Sequence, residues 1–236
     1  MNAGAVRAEL KHLTNPRKAK ILKRFFKTGK GEYAEGDMFL GITVPQSRKI
    51  AQTYRDIPWK ALHALIKSPY HEERLVALLI LVERFQKLNE VEKEKIYRFY
   101  LSHTKYINNW DLVDLSAEKI VGAYLEKKSR APLVRLAKSK SLWERRIAII
   151  ATFYFIKKDN ANETFRIAKI LLKDRHNLIQ KAVGWMLREI GKRVSREKEE
   201  EFLMQHLNSL SRTTLRYAIE HFPEPKRKRY LKENIR

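Results

Sequence analysis

Trp110-Asp111-Leu112-Val113-Asp114-Leu115-Ser116-Ala117 decides the fold, because four other stretches answer it at an almost fixed distance. They are ERLVALLIL from Glu73, RRIAIIATF from Arg145, KAVGWML from Lys181 and LRYAIEHF from Leu215. Arg74, Trp110, Arg146, Lys181 and Arg216 are separated by 36, 36, 35 and 35 residues, and each stands near the start of an apolar-striped helical pattern. A period of this size filled by two helices is the mark of an α-solenoid. Tetratricopeptide and ankyrin signatures are absent, which leaves a degenerate HEAT-like array. The expected fold is therefore all-α, a curved α-solenoid (an alpha-alpha superhelix), with residues 1–236 forming one domain. Equivalent helix starts in such an array line one surface, which here would present Arg, Trp, Arg, Lys and Arg in order. The competing explanation is that similar helix lengths alone produce the spacing.

Outward from these segments the pattern is monotonous. Residues 3–13 and 17–27 read as short helices around the Asn15-Pro16 turn, with the proline suited to a first helical position. Thr43 is placed to cap a helix over Pro45–Tyr54. Further helices are expected over Trp59–Lys67, His71–Lys87, Val91–Ser102, Trp110–Lys127, Arg130–Ser139, Leu142–Lys157, Asn162–Lys173 and Asn177–Gly191. Arg196–Leu207, Arg212–His221 and Pro225–Lys232 complete the series. No run alternates with a period of two between hairpin turns, so strands have no obvious place.

Hydrophobic residues make up 44% of the 236-residue chain, enough to build a core. Fifty Lys and Arg against 27 Asp and Glu give a formal charge of +23. Such a field calls for an anionic partner, and nucleic acid fits better than a membrane because no long uncharged apolar span exists. With no cysteine, disulfide and thiol chemistry are excluded. The start, MNAGAVRAELKHLTNP, has no apolar signal core, so a cytoplasmic, nucleoid-associated protein is expected. The seven histidines form no HExxH or paired ligand spacing, so no metal is expected. Gly29, Gly31 and Gly36 lack the spacing of a phosphate loop, and no serine sits in a GxSxG elbow.

Three constellations remain. Trp110 and Asp114 are four apart and share one face of a helix, with Asp111 either on that face or capping the first turn. In Trp143-Glu144-Arg145-Arg146 a guanidinium is suited to gripping a phosphate, or else to an ion pair with a neighbouring helix. In the third, Lys181 and Trp185 are i,i+4 partners and Arg188 follows one turn later. Gly184 sits between them in mid-helix, which costs about 1 kcal/mol and asks for a reason. A close approach by another helix or by a ligand would supply it, and so would packing of Trp185 against the glycine. Ser211 is placed to cap a helix carrying Arg212 and Arg216, and the run Lys226-Arg227-Lys228-Arg229 suits phosphate contact or a solvated end.

One carboxylate and two indoles in a basic groove suit a particular reaction. A purine alkylated at N3 or N7 is already cationic and departs without a strong acid. The protein must then stabilise positive charge on the deoxyribose and present water to C1′. Asp114 can do both, and the faces of Trp110 and Trp185 can cradle the sugar.

The chain resembles the bacterial DNA alkylation repair (AlkD-like) family of HEAT-like-repeat DNA glycosylases. The resemblance rests on Phe39-Leu40-Gly41-Ile42 with Pro45 and Arg48-Lys49, on Trp110-Asp111-Leu112-Val113-Asp114, on Trp143 to Ile149, and on Ser211-Arg212. Its most specific part is Gln180-Lys181-Ala182-Val183-Gly184-Trp185-Met186-Leu187-Arg188-Glu189. It implies a monomer that excises N3- and N7-alkylated purines from double-stranded DNA with no cofactor. It further implies Trp110, Asp114 and Trp185 as catalytic residues and Arg146 as a phosphate ligand. Lys181, Arg188, Arg212, Arg216, Arg145, Lys49 and Tyr33 are the other expected DNA contacts. The chain departs from the family in carrying Asn109-Trp110 where a doubled aromatic is common, and in its glycine-rich segment before Phe39. Relatives that bind branched DNA and excise little make a non-catalytic binder the alternative.

Overall fold

The computed structural model describes residues 2–233. Among these the regular structure is helical, and the only extended pairing is a single bridge between Met38 and Tyr70. The all-α, HEAT-like helical architecture expected from the 35–36-residue period is the one found. Two compact units divide the chain, 1–116 and 117–236.

The first unit holds α1 (Ala3–His12), α2 (Pro16–Phe25), α3 (Val44–Thr53), α4 (Trp59–Ile66), α5 (His71–Lys87), α6 (Glu90–Ser102) and α7 (Trp110–Asp114). Its centre is α5, buried continuously from His71 to Val82 and packed on α3, α4, α6 and α7. A helix apolar all round can only be a central one, and LVALLILV is such a run. Pro16 takes the first position of α2 as expected, with Asn15 as its cap, and Thr43 caps α3 as expected, in a reciprocal capping box with Gln46. Gly41 is obligatory in its place. Its φ is +85°, and a Cβ there would stand 2.2 Å from the carbonyl oxygen of Asn15.

The second unit holds α8 (Ala131–Ala137), α9 (Leu142–Ala151), α10 (Phe153–Ile156), α11 (Asn162–Leu171), α12 (Asn177–Arg193), α13 (Arg196–His206), α14 (Arg212–Ala218) and α15 (Glu224–Glu233). Here α12 is central, packed on α9, α11, α13 and α14. Gly184 has its reason in that packing: a Cβ would lie 2.4 Å from the carbonyl oxygen of Thr214 and 2.6 Å from Cβ of Tyr217. The glycine admits another helix, not the indole of Trp185.

Two of the expected helices are broken. Trp110–Lys127 is not a continuous helix: α7 ends at Asp114, Leu115 and Ser116 form a turn, and Glu118–Gly122 winds as a π-helix. The Ser116 hydroxyl donates to the carbonyl of Leu112 at 2.5 Å, and its amide bonds to Val113, so the α ladder is lost there. Apolar spacing survives a break of this kind, which is why the sequence concealed it. Leu142–Lys157 is likewise split, at Thr152.

Candidate nucleic-acid interface and catalytic residues

Asn109 is the N-cap of α7, its side-chain oxygen accepting the Trp110 amide at 2.8 Å. The short helix puts Trp110 at its first position and Asp114 at its last, one turn apart and both half-buried. Beneath Asp114 the buried Tyr100 hydroxyl meets Ser116 Oγ at 3.0 Å. Burial, with the negative charge of Asp114 nearby, pushes that phenol upward and keeps it neutral. Trp110 stacks on Phe26 at 5.1 Å and takes the edge of Phe25 at 5.8 Å. Phe25 is 60% exposed, so a large aromatic surface stands open beside the indole.

Under Trp110 lies a charged hub that sequence reasoning missed. His71, the first residue of α5, approaches Asp111 with Nε2 at 2.8 Å and Asp37 with Nδ1 at 3.6 Å. Arg74 reaches Asp37 at 2.8 Å and donates to the Ser68 carbonyl at 2.8 Å. Asn108 donates to the other oxygen of Asp37 at 3.0 Å, and Asp111 Oδ1 accepts the Leu112 amide at 2.9 Å. Burial alone would lower the His71 pKa. The charge and hydrogen bond of Asp111, with the bond to Asp37, outweigh it and raise the value to about 9. Burial alone would raise Asp37, but its bonds from His71 and Asn108 and the charge of Arg74 hold it below the usual carboxylate range. Next to them Glu72 accepts the amides of Leu40, Gly41 and Ile42 at 3.0, 2.8 and 3.2 Å. The only sequence signals were a charged first turn on an apolar helix and the aromatic pair Phe25-Phe26.

Two members of the proposed basic row belong to the interior. Arg74 is 3% exposed and Arg146 is 5% exposed. Arg74 serves the hub, and Arg146 donates to the Leu178 carbonyl at 2.5 Å, joining α9 to α12. The row expected to present five side chains on one surface therefore does not include these two as open groups. Arg145 is also committed, pairing with Asp174 at 2.6 Å and bonding the carbonyls of Ser139 and Lys140. Arg212 donates to the Leu231 carbonyl at 2.9 Å.

Lys181, Arg188 and Arg216, by contrast, come together. They line a cleft of about 560 Å³ between α12 and α14, with Tyr217, Glu220 and Arg227. Ser211 caps α14 as expected, accepting the Thr214 amide, so Arg216 lies one turn in. Lys181 lies 5.7 Å over the Tyr217 ring, and Arg188 pairs with Glu220. Trp185, on the same helix, is half-buried, donates from Nε1 to Glu189 at 3.2 Å and lies against Phe153 at 6.1 Å. Lys49 is exposed on α3, and Tyr33 is half-buried in the turn-rich stretch before Phe39. Several cations of α15 are paired, as in Lys226 to Glu200 and Arg227 to Glu224. Among the described residues no group of three or more His, Asp or Glu is placed to hold a metal ion. No described helix is long and apolar enough to cross a membrane.

The family described as DNA alkylation repair enzyme matches the chain over residues 6–222. A solved structure titled "Predicted DNA alkylation repair enzyme from Enterococcus faecalis" superposes with a TM-score of 0.70 at 19% identity, over 89% of this chain and 97% of that one. At that identity the likeness shows the fold alone. No curated protein matches.

Proposed function

The chain belongs to the DNA alkylation repair enzyme family, and from that premise we propose that it is a monofunctional DNA glycosylase for N3- and N7-alkylated purines in duplex DNA. The observation that carries the reading is α7, which sets a carboxylate one turn from an indole whose neighbouring surface is open. In a cationic 7-methylguanine or 3-methyladenine nucleotide the N9–C1′ bond breaks with its electron pair going to the base, which leaves neutral. Positive charge appears at C1′ and the ring oxygen. Asp114 stabilises that charge and orients water, whose oxygen bonds to C1′ as its proton passes to the carboxylate and on to bulk water. Trp110 offers its π face to the sugar cation, and Trp185 is the second indole of the proposal. The proposed phosphate contacts are the exposed Lys49 and Arg216 and the half-buried Lys181, with Arg188 beside Lys181 and Arg216 in the cleft.

The reaction needs no general acid, so uncharged lesions would be poor substrates. Purified protein is expected to release 7-methylguanine and 3-methyladenine from methylated duplex. Tight duplex binding without release would support the non-catalytic alternative instead.

A further inference from the structure

The hub beneath Trp110 takes no part in the chemistry above, yet it is built around α7. Asp111 binds His71 with one oxygen and the Leu112 amide with the other, so the imidazole is coupled directly to the first turn of the helix. Asp37 on the far side of the ring holds Asn108, the residue that precedes the Asn109 cap. A second coupling is aromatic. His71 stacks on Phe39 at 4.6 Å and lies 5.1 Å from Phe26, and Phe26 in turn carries Trp110. Both routes from His71 end on the turn bearing Trp110 and Asp114.

We propose that His71 is a positioning residue for this turn: clamped between Asp37 and Asp111, its protonated ring fixes α7 from below and so sets where Trp110 and Asp114 stand. Its bearing on catalysis rests on the glycosylase reading; its bearing on Trp110 does not. The charged groups facing the ring are Asp111 from α7, Asp37 from the stretch before α3, and Arg74 and Glu72 from its own helix. Glu72 is held by three backbone amides, and with Asp37 and Asp111 it sets three carboxylates against one guanidinium and one imidazolium. Loss of the His71 proton adds a further uncompensated negative charge to a buried site. The position of α7 should then change over the range in which His71 titrates, centred on about 9.

The test follows two signals in the whole protein: the His71 ring, by NMR with labelled histidine, and the Trp110 indole, assigned by its absence in Trp110→Phe. The Trp110 indole is expected to shift with the His71 midpoint while those of Trp59, Trp143 and Trp185 hold their positions. His71→Gln should abolish that response and slow single-turnover base release by roughly 10- to 100-fold, with duplex affinity within about twofold. Asp37→Asn, which keeps the ring but removes one carboxylate, should move both midpoints to lower pH together, and it carries the test should His71→Gln fail to fold. A Trp110 signal indifferent to His71 titration, or midpoints unmoved by Asp37→Asn, would overturn the proposal. Absence of base release from wild type would sink the glycosylase reading while leaving the indole measurement decisive for His71.

Discussion

Asp114 ends its helix at the point where the α ladder stops, and it is half-exposed there. A carboxylate there gains nothing from the helix dipole, which favours cations at a C-terminus. Trp110 is legible in the sequence through its spacing to Asp114, and its first-turn position agrees. The exposed Phe25 beside it was not legible, since nothing in a helical pattern reveals which residue another helix will meet. Phe25→Ala should leave the fold standing and weaken release more than duplex binding, measured by single-turnover kinetics beside a binding isotherm. Lys181→Ala should lower duplex affinity without a change in lesion preference. It should also reduce the dependence of log affinity on log salt by about one, because one phosphate contact is lost.

At the scale of elements, the apolar stripes located nearly every helix, and the capping residues fixed several starts. The stripes concealed the break after Asp114, because the turn and the π segment preserve burial of Leu112, Val113, Ile120 and Val121. Charges were harder to place. Arg74 and Arg146 are indistinguishable from surface cations in one dimension, and their buried partners, Asp37 and the Leu178 carbonyl, lie on other parts of the chain. Gly184→Ala should destabilise despite its better helix propensity. Two neighbours lie within 2.6 Å of the added methyl, so α12 and α14 must part, at a cost of about 1–3 kcal/mol in a denaturant titration.

Glu199 on α13 supplies a second test of packing. It is 2% exposed, its Oε1 lacks a hydrogen-bond partner, and burial raises its pKa to about 8. A folded pKa above the unfolded value means its contribution is fullest below 4.5 and is lost as pH rises through about 8. Glu199→Gln should therefore flatten the fall in melting temperature across that window and raise stability at neutral pH.

For the whole molecule the charge of +23 was the plainest signal and the least specific. It argues for an anionic partner, although it does not say which cations are open: Arg74, Arg145, Arg146 and some α15 cations are committed inside the protein or in pairs. Many cations remain exposed on the described surface, among them Arg17, Lys20, Lys23, Arg24, Lys27, Lys30, Lys49 and Arg216, with Lys181 half-buried. Because the slope counts phosphates contacted and not charges carried, duplex binding should show a salt slope well below what the net charge alone implies, in a titration of affinity against salt concentration.

The central claim is that Asp114 drives base loss from a charged lesion. It is tested most directly by incubating wild type and Asp114→Asn with N-methylated duplex DNA and measuring the free bases. Wild type should release 7-methylguanine and 3-methyladenine, and Asp114→Asn should lose about 100-fold or more of that rate while binding the duplex at least as well. Equal release by the two proteins would contradict the account.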